Sequence, residues 1–492
     1  MLRLRVRYAL LIFFFLAMGA YWATIGMDRM HDWGDDFAQY IRQAQLILEA
    51  QPATSGGYIY KDYAYGLGPP SYPAGFPLLL LPIVAYFGNS IIPLLIWIGI
   101  LGVCAWFAVF FFYRKLGLPV FVAVCFIVLM ACNRHILFMK TDIGSDFSFL
   151  SLVFLFMTLK ESSWQRYSFL RYFLLGIMLV FALLLRSAGI TLLAATAIAM
   201  LYDRYCQNRS LSSFFSATIY AASIMVISIL GFYLINHVWL GAAKDDGYIR
   251  QLFLHGRKDL WIVNIQTYAK LTAGFFFHIS SWNLLVGTCI WLMAFVGWIL
   301  DAKQKLRTHH VFFIIYAFLL CIWPHAAYRF LLPLIPLLVL YLFRCIYWIY
   351  AHSHTVIFLS SLLLAIGVSL HSISVQRSYL RQGFLVRFDG PYDSLFLEAA
   401  DAVQQYTAKD DVVIFRKPRV MALFAHRKSF VLPDNGNREQ CLYEMKKEDA
   451  AFIFIDKATQ EYQEQNMMLI SDTLLFSSVW ANSRFELFRL RE

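Results

Sequence analysis

"HDWGDDFAQYIRQA" (31–44) follows directly on a run of apolar residues and sets Asp32, Asp35 and Asp36 within five positions. The preceding "MLRLRVRYALLIFFFLAMGAYWATIGM" (1–27) has a basic start and an apolar run about as long as a bilayer needs. It shows no small-residue cleavage site and reads as an uncleaved first transmembrane helix. After the acids, Phe37, Ile41, Ala44, Ile47 and Leu48 recur at helical spacing. That pattern predicts an amphipathic helix, better suited to lying on a membrane than to crossing it. Asp35 and Asp36 fall at its N-terminal end. Helix capping, worth about 0.5–2 kcal/mol for an Asp, accounts for one acid but not for three.

Outward from this loop, the composition sets the class. The 492 residues are 60% hydrophobic and 17% aromatic, and only 15% are charged, against about 25% in soluble proteins. Apolar runs of spanning length lie near 8–27, 89–113, 118–138, 147–160, 172–186, 188–202, 213–239, 283–300, 311–326, 328–350 and 355–375. The expectation is a polytopic α-helical membrane protein of about eleven transmembrane helices. With Arg3, Arg5 and Arg7 inside, the loops "YRK" (113–115), "KESSWQRYSFLR" (160–171), "DRYCQNR" (203–209) and "DAKQKLRTHH" (301–310) are short, basic and cytoplasmic. They account for the net charge of +11 without a nucleic-acid partner, because no basic stripe is present. Loops 28–88 and 240–282 then face outward, and with them Asp35, Asp36, Asp62, Asp142 and Asp146. The eight cysteines are scattered without a CxxC, so neither a disulfide frame nor a zinc site is expected.

Loop 28–88 continues as "YAYGLGPPSYPAGFPLLLLPIVAYFG" (63–88), where four prolines fix the backbone ahead of an apolar stretch too short to span. A rigid outer loop that holds carboxylates beside lipid suits an enzyme handling a lipid-linked substrate. Residues 376–492 are more polar. "DVVIF" (411–415), "KSFVL" (428–432) and "AFIFID" (452–456) predict strands, while 392–408 and 418–426 predict helices. The division expected is a transmembrane catalytic domain over 1–375 and a small α/β domain over 376–492 on the outer face.

"GDDFAQYIRQA" followed by "SYPAGFPLLLLPIVAYFG" resembles the first outer loop of GT-C-fold membrane glycosyltransferases. These include the protein O-mannosyltransferases and the aminoarabinose transferases that modify lipid A. In that family an acidic pair opens a juxtamembrane helix and a Tyr-Pro-Pro-like turn follows. Asp35–Asp36 and Tyr72–Pro73–Ala74–Gly75 occupy those places, with one Ala departing from the turn. "NRHILFMKTDIGSDFSFLSLVFLF" (133–156), "LLLRSAGITLL" (183–193) and "YRFLLPLIPLLVLY" (328–341) are similar to the second outer loop, the Arg-containing helix junction and the Arg-Tyr-Leu-x-Pro-x-x-Pro segment, with Phe330 replacing the Tyr.

The resemblance implies transfer of a sugar from a polyprenyl-phosphate donor to an envelope or secreted acceptor hydroxyl, with inversion. The setting implied is a bacterial inner membrane with the active site toward the periplasm. A carboxylate then takes the hydroxyl proton, and fixed cations stabilise the leaving phosphate. On this reading Asp35 is the base, Asp36 orients it, binds acceptor or caps the helix, and Asp146 is a second acid. Arg186 and Arg329, at outer membrane depth, bind the donor phosphate, with Lys61 as a looser candidate. Tyr72, Asp142, Arg257 and His278 are candidate substrate contacts. No metal-ligand spacing surrounds the histidines, although the clustered acids leave a divalent metal (Mg or Mn) open. "FRKPR" (415–419) reads as solvated surface. The competing classes are a lipid-linked-sugar transporter or flippase, which tends to show repeated halves and ionisable residues at mid-depth, and an O-antigen ligase or polymerase.

Overall fold

The computed structural model describes residues 30–161, 168–208, 211–243, 260–277, 282–352, 389–434, 436–459 and 468–491, with isolated positions at 17, 19, 20, 22, 378 and 381. Almost all of the expected first span, and all of the one expected over 355–375, lie outside the described residues.

Among the described residues four helices are long and apolar enough to cross a membrane: Ile91–Lys115, Phe214–Trp239, Asn283–Ala302 and Ile335–His352. Val120–Ala131 and Arg134–Lys140, bent by 67° at their junction, make a fifth if they form one span. Among the described residues several of the expected runs are divided or bounded by polar junctions. The run 118–138 breaks at Asn133, whose side chain accepts from the His135 amide and starts a new helix. The run 172–186 ends at Arg186, which takes an extended backbone. Gly75–Phe87, Leu170–Leu185 and Thr308–Ile322 are apolar but shorter. The loop expected over 240–282 contains a 17-residue helix, Leu260–Phe276. It packs closely on Asn283–Ala302, since a Cβ on Gly287 would sit 1.8 Å from the Ala269 carbonyl oxygen.

The strands expected in the C-terminal region are present: β1 Val412–Ile414, β2 Lys428–Phe430 and β3 Ala450–Asp456. The expected helices are Ser394–Tyr406 and Pro418–Phe424. An antiparallel hairpin, β4 Phe476–Ala481 and β5 Phe485–Leu490, completes a five-stranded sheet ordered β2-β1-β3-β5-β4. Side chains alternate across the sheet as the pleat requires. Val413, Phe415, Phe452, Phe454, Phe485 and Leu487 join the large core that runs through the membrane helices. Ile414, Phe430, Ile453 and Ile455 form a second, smaller core with Cys441 and Met445.

The helix Asp36–Leu48 forms as expected, but it is held between two layers. One side packs on Gly75–Phe87 and another on Pro418–Phe424 of the C-terminal region, and eight of its residues are buried, including Gln39 and Gln43. Loop residues 57–63 also grip that region. Tyr58 pairs in parallel with Ser429 at the edge of β2, and the Tyr63 hydroxyl donates to the Val431 carbonyl at 2.9 Å.

Candidate active site

The first turn of Asp36–Leu48 is fixed by its own polar residues. Gln39 donates to the Pro70 carbonyl at 3.0 Å. Gln43 donates to the Tyr72 carbonyl at 2.9 Å and accepts from the Tyr72 amide at 3.0 Å. These bonds hold the Pro-rich turn against the helix and place the Tyr72 ring 4.8 Å from that of Tyr40. The Tyr72 hydroxyl then donates to Asp36 Oδ1 at 2.5 Å.

Three stretches that are remote in sequence meet at Asp36. Arg329, on the short helix Tyr328–Leu331, donates to Asp36 Oδ2 at 2.8 Å. Its other terminal nitrogen lies 3.5 Å from Asp146 Oδ2. Asp146, at the start of Asp146–Lys160, is paired in turn with Arg186 at the junction after Leu185. The first-loop acid, the second-loop acid and both arginines therefore form one network: Asp36–Arg329–Asp146–Arg186. Burial raises the Asp36 carboxyl, but Arg329, Arg419 and the Tyr72 hydrogen bond outweigh it and hold the group below the usual carboxylate range.

This network borders a cavity of 330 Å³. Asp36, Arg186, Arg329 and Tyr72 line it, and Leu185, Ile190, Leu319, Leu320 and Trp323 supply an apolar wall. The mixture of one apolar wall and a few convergent charges is what a small-molecule site requires.

Asp35 is not in that wall. It occupies the N-cap position of Asp36–Leu48, yet its side chain makes no capping hydrogen bond. It turns instead toward Pro418–Phe424, buried, with no partner in hydrogen-bond geometry for either oxygen. Burial pushes its carboxyl up to about 6, against the pull of Arg419 and Lys417. Asp35 is thus neither a capping residue nor part of the cavity wall, and Asp36 is the acid of the pair that meets the cavity.

Lys61 and Asp142 are held elsewhere. The Lys61 ammonium is bound by Glu444 at 2.5 Å and Glu448 at 2.8 Å, in a clasp between loop residues 57–63 and the C-terminal end of the helix Arg438–Lys447. Asp142 lies 3.0 Å from His31 Nε2. Arg257 and His278 lie outside the described residues. Tyr65, Tyr316 and His325 line the cavity and were not on the expected list of contacts.

The site residue that the sequence reading missed is Arg419. Far from solvated surface, it is 1% exposed. It donates to the Tyr72 hydroxyl at 3.0 Å and to the Pro69 carbonyl at 2.6 Å, and lies 3.5 Å from Asp36 Oδ1. A signal was present: "PRVMALF" is an otherwise apolar helix, and every residue in Pro418–Phe424 is buried.

Asp36 and Asp146 are already engaged by guanidinium groups, so an ion there would have to displace them. Among the described residues, the His/acid groups close enough to share an ion are His31, Asp32 and Asp142, and Asp301, His309 and His310. Neither includes Asp36 or Asp146, whose carboxylates are engaged by guanidinium groups among the described residues.

No protein-family model and no curated protein sequence matches the chain. Solved structures do. The archaeal oligosaccharyltransferase AglB from Archaeoglobus fulgidus, in complex with an inhibitory peptide and a dolichol-phosphate, aligns with a TM-score of 0.55 at 13% identity, over 90% of this chain and 69% of that one. ArnT from Cupriavidus metallidurans, bound to undecaprenyl phosphate, aligns with a TM-score of 0.55 at 12% identity, over 97% of each chain. Both have the GT-C fold of membrane glycosyltransferases. At these identities the likeness is one of fold: this chain has the GT-C architecture, mostly helical with a small C-terminal sheet.

Proposed function

We propose that the protein is a glycosyltransferase that moves a sugar from a polyprenyl-phosphate donor to an acceptor hydroxyl on an envelope or secreted molecule, at the outer face of a bacterial inner membrane. The observation that carries this reading is the cavity in which Asp36 meets Arg329 and Arg186 beside an apolar wall. The lipid phosphates in the two solved structures support a lipid-phosphate donor.

The chemistry follows from the geometry. The acceptor oxygen attacks the anomeric carbon, and its proton passes to Asp36 as the bond forms. The carbon–oxygen bond to phosphate breaks, and the electron pair leaves on the polyprenyl phosphate. Arg329 and Arg186 face the charge that develops there, with Asp146 holding both guanidinium groups in place. Both Asp36 oxygens accept a hydrogen bond, and a carboxylate has about four lone-pair sites, so capacity for the proton remains.

The test uses the purified full chain in nanodiscs, a panel of radiolabelled polyprenyl-phosphate sugars and a membrane extract as acceptor. Wild type should consume one donor. Asp36→Asn should bind that donor and turn over at least about a hundredfold more slowly. Equal turnover removes Asp36 from the base role, and consumption of no donor across the panel overturns this substrate class.

A further inference from the structure

We propose that Arg419, supplied by the C-terminal domain, is a positioning residue for Asp36, so that this domain completes the catalytic unit. The inference rests on the reading of Asp36 as the base.

Arg419 does not line the cavity; its partners do. Its NH1 donates to the Tyr72 hydroxyl at 3.0 Å, and that hydroxyl donates to Asp36 Oδ1 at 2.5 Å. Since the Tyr72 oxygen accepts from Arg419, its own proton is directed to Asp36. The second terminal nitrogen, NH2, holds the Pro69 carbonyl at 2.6 Å and so fixes the turn that carries Tyr72. The guanidinium lies over two rings, 4.7 Å from Tyr58 and 4.9 Å from Tyr72. Space for it comes from Gly68, whose φ of +88° favours glycine and where a Cβ would lie 2.9 Å from NH2. Two donors in two fixed directions suit Arg and not Lys.

The base would therefore be set from both sides of the fold. Arg329, from the membrane helices, holds Oδ2, while Tyr72 and Arg419 hold Oδ1. The other titratable neighbours are Asp35, next along the chain, Asp146, reached through Arg329, and Tyr40.

A readout independent of any sugar donor is labelling by a hydrophobic carbodiimide, which modifies protonated carboxyl groups, followed by peptide mass spectrometry at Asp36 across a pH series. Arg419→Met should raise the pH of half-labelling by about one unit, since it removes a cation beside the carboxylate. Arg419→Lys should return that pH toward wild type. Arg427→Met, which removes a buried guanidinium of the same domain bonded to Thr407 and the Gln404 carbonyl, should leave it unchanged. With the donor found above, Arg419→Met should lower kcat about tenfold with KM within about twofold, and Arg419→Lys should recover only part of the rate. An unmoved labelling pH in Arg419→Met, or an equal shift in Arg427→Met, overturns the proposal. A wild type that consumes no donor while the labelling shift persists defeats the transferase reading and still supports the hold of Arg419 on Asp36.

Discussion

Asp456 and Asp36 each sit between two arginines, and the contrast between them separates a structural cluster from a chemical one. At the end of β3, Asp456 accepts from Arg484 through two nitrogens, both at 2.9 Å, and from Arg416 at 2.9 Å. Its side chain is 0% exposed, and both guanidinium groups lie over the Trp33 ring. The Asp36 side chain is 35% exposed and borders the cavity. Each carboxylate faces two arginines, although at Asp36 one of them stands off at 3.5 Å and a tyrosine hydroxyl takes the nearer place. What differs is that the first is closed by an aromatic ring and the second is left open on one side.

The largest effect expected from breaking this contrast is on stability. Asp456→Asn removes a fully buried carboxylate from two half-buried arginines, of which Arg484 keeps Asp389 at 2.7 Å, so the loss should be about 3 kcal/mol, the low end for breaking a buried pair. Chemical denaturation followed through tryptophan fluorescence should report it. Burial raises the Asp456 carboxyl, but the arginine hydrogen bonds hold it below its ordinary value. Its contribution is therefore present above the unfolded pKa and is lost as pH falls through the lower folded one. Any loss of rate should track the unfolded fraction. At the open cluster the balance reverses. Arg329→Gln should reduce kcat/KM by about ten- to hundredfold, because one residue serves both Asp36 and Asp146. Its melting curve should stay close to wild type. A rate loss in Asp456→Asn beyond its unfolded fraction would mean that the two clusters do not divide as described.

Within the acidic pair the comparison sharpens further. Asp35 is buried with the Val420 amide facing it but no hydrogen bond of good geometry, and its carboxyl is pushed up to about 6. A folded pKa above the unfolded value means that the ionised form opposes folding at pH above about 6, and that the penalty vanishes below the unfolded pKa. Asp35→Asn should therefore stabilise the chain by about 1–2 kcal/mol at pH 8 and not at pH 4. Donor turnover should stay within about threefold of wild type. A hundredfold loss would return the base to Asp35, the position the family resemblance assigns.

What could be read from the sequence divides on similar physical lines. Apolar runs, basic loops and alternating strands are periodic signals, and they placed most helices, β1, β2, β3 and the acid-bearing helix. Span lengths were less legible, since a polar junction such as Asn133 or Arg186 cuts a run without lowering its average hydropathy. Asp36, Asp146, Arg186, Arg329 and Tyr72 could be picked out as candidates because motif order survives folding. Which acid of the adjacent pair faces the cavity could not, because it depends on the rotation of one helix N-terminus between two layers. Lys61 and Arg419 exchanged expected places for the same reason. Their partners lie 383 and 347 residues away in the chain, and no local pattern encodes such a pairing.

The smallest effect concerns the joint between the two acid-bearing loops. His31 is fully buried, with Nε2 3.0 Å from Asp142 Oδ1 and Nδ1 3.0 Å from the Asp32 carbonyl oxygen. It ties the loop before Asp36 to the loop before Asp146. Burial lowers its pKa, but the hydrogen bonds and charges of Asp142 and Asp32 outweigh that and raise it to about 9. A folded pKa above the unfolded value of 6.5 gives stability that is full below pH 6.5 and lost as pH rises through 9. Two features keep the loss small. The Asp142 and Asp32 side chains are 37% and 39% exposed, so solvent screens the pair. Once the proton leaves, Nε2 can accept from the Ile143 amide, 3.2 Å away. The loss should be about 1 kcal/mol between pH 6.5 and 10. His31→Gln should flatten that part of the stability profile, whereas Asp456→Asn should flatten only the acid side. If His31→Gln left the alkaline slope intact, His31 would not be the titrating tie, and the alignment of Asp36 with Asp146 would rest on Arg329 and the Tyr40–Ser145 contact.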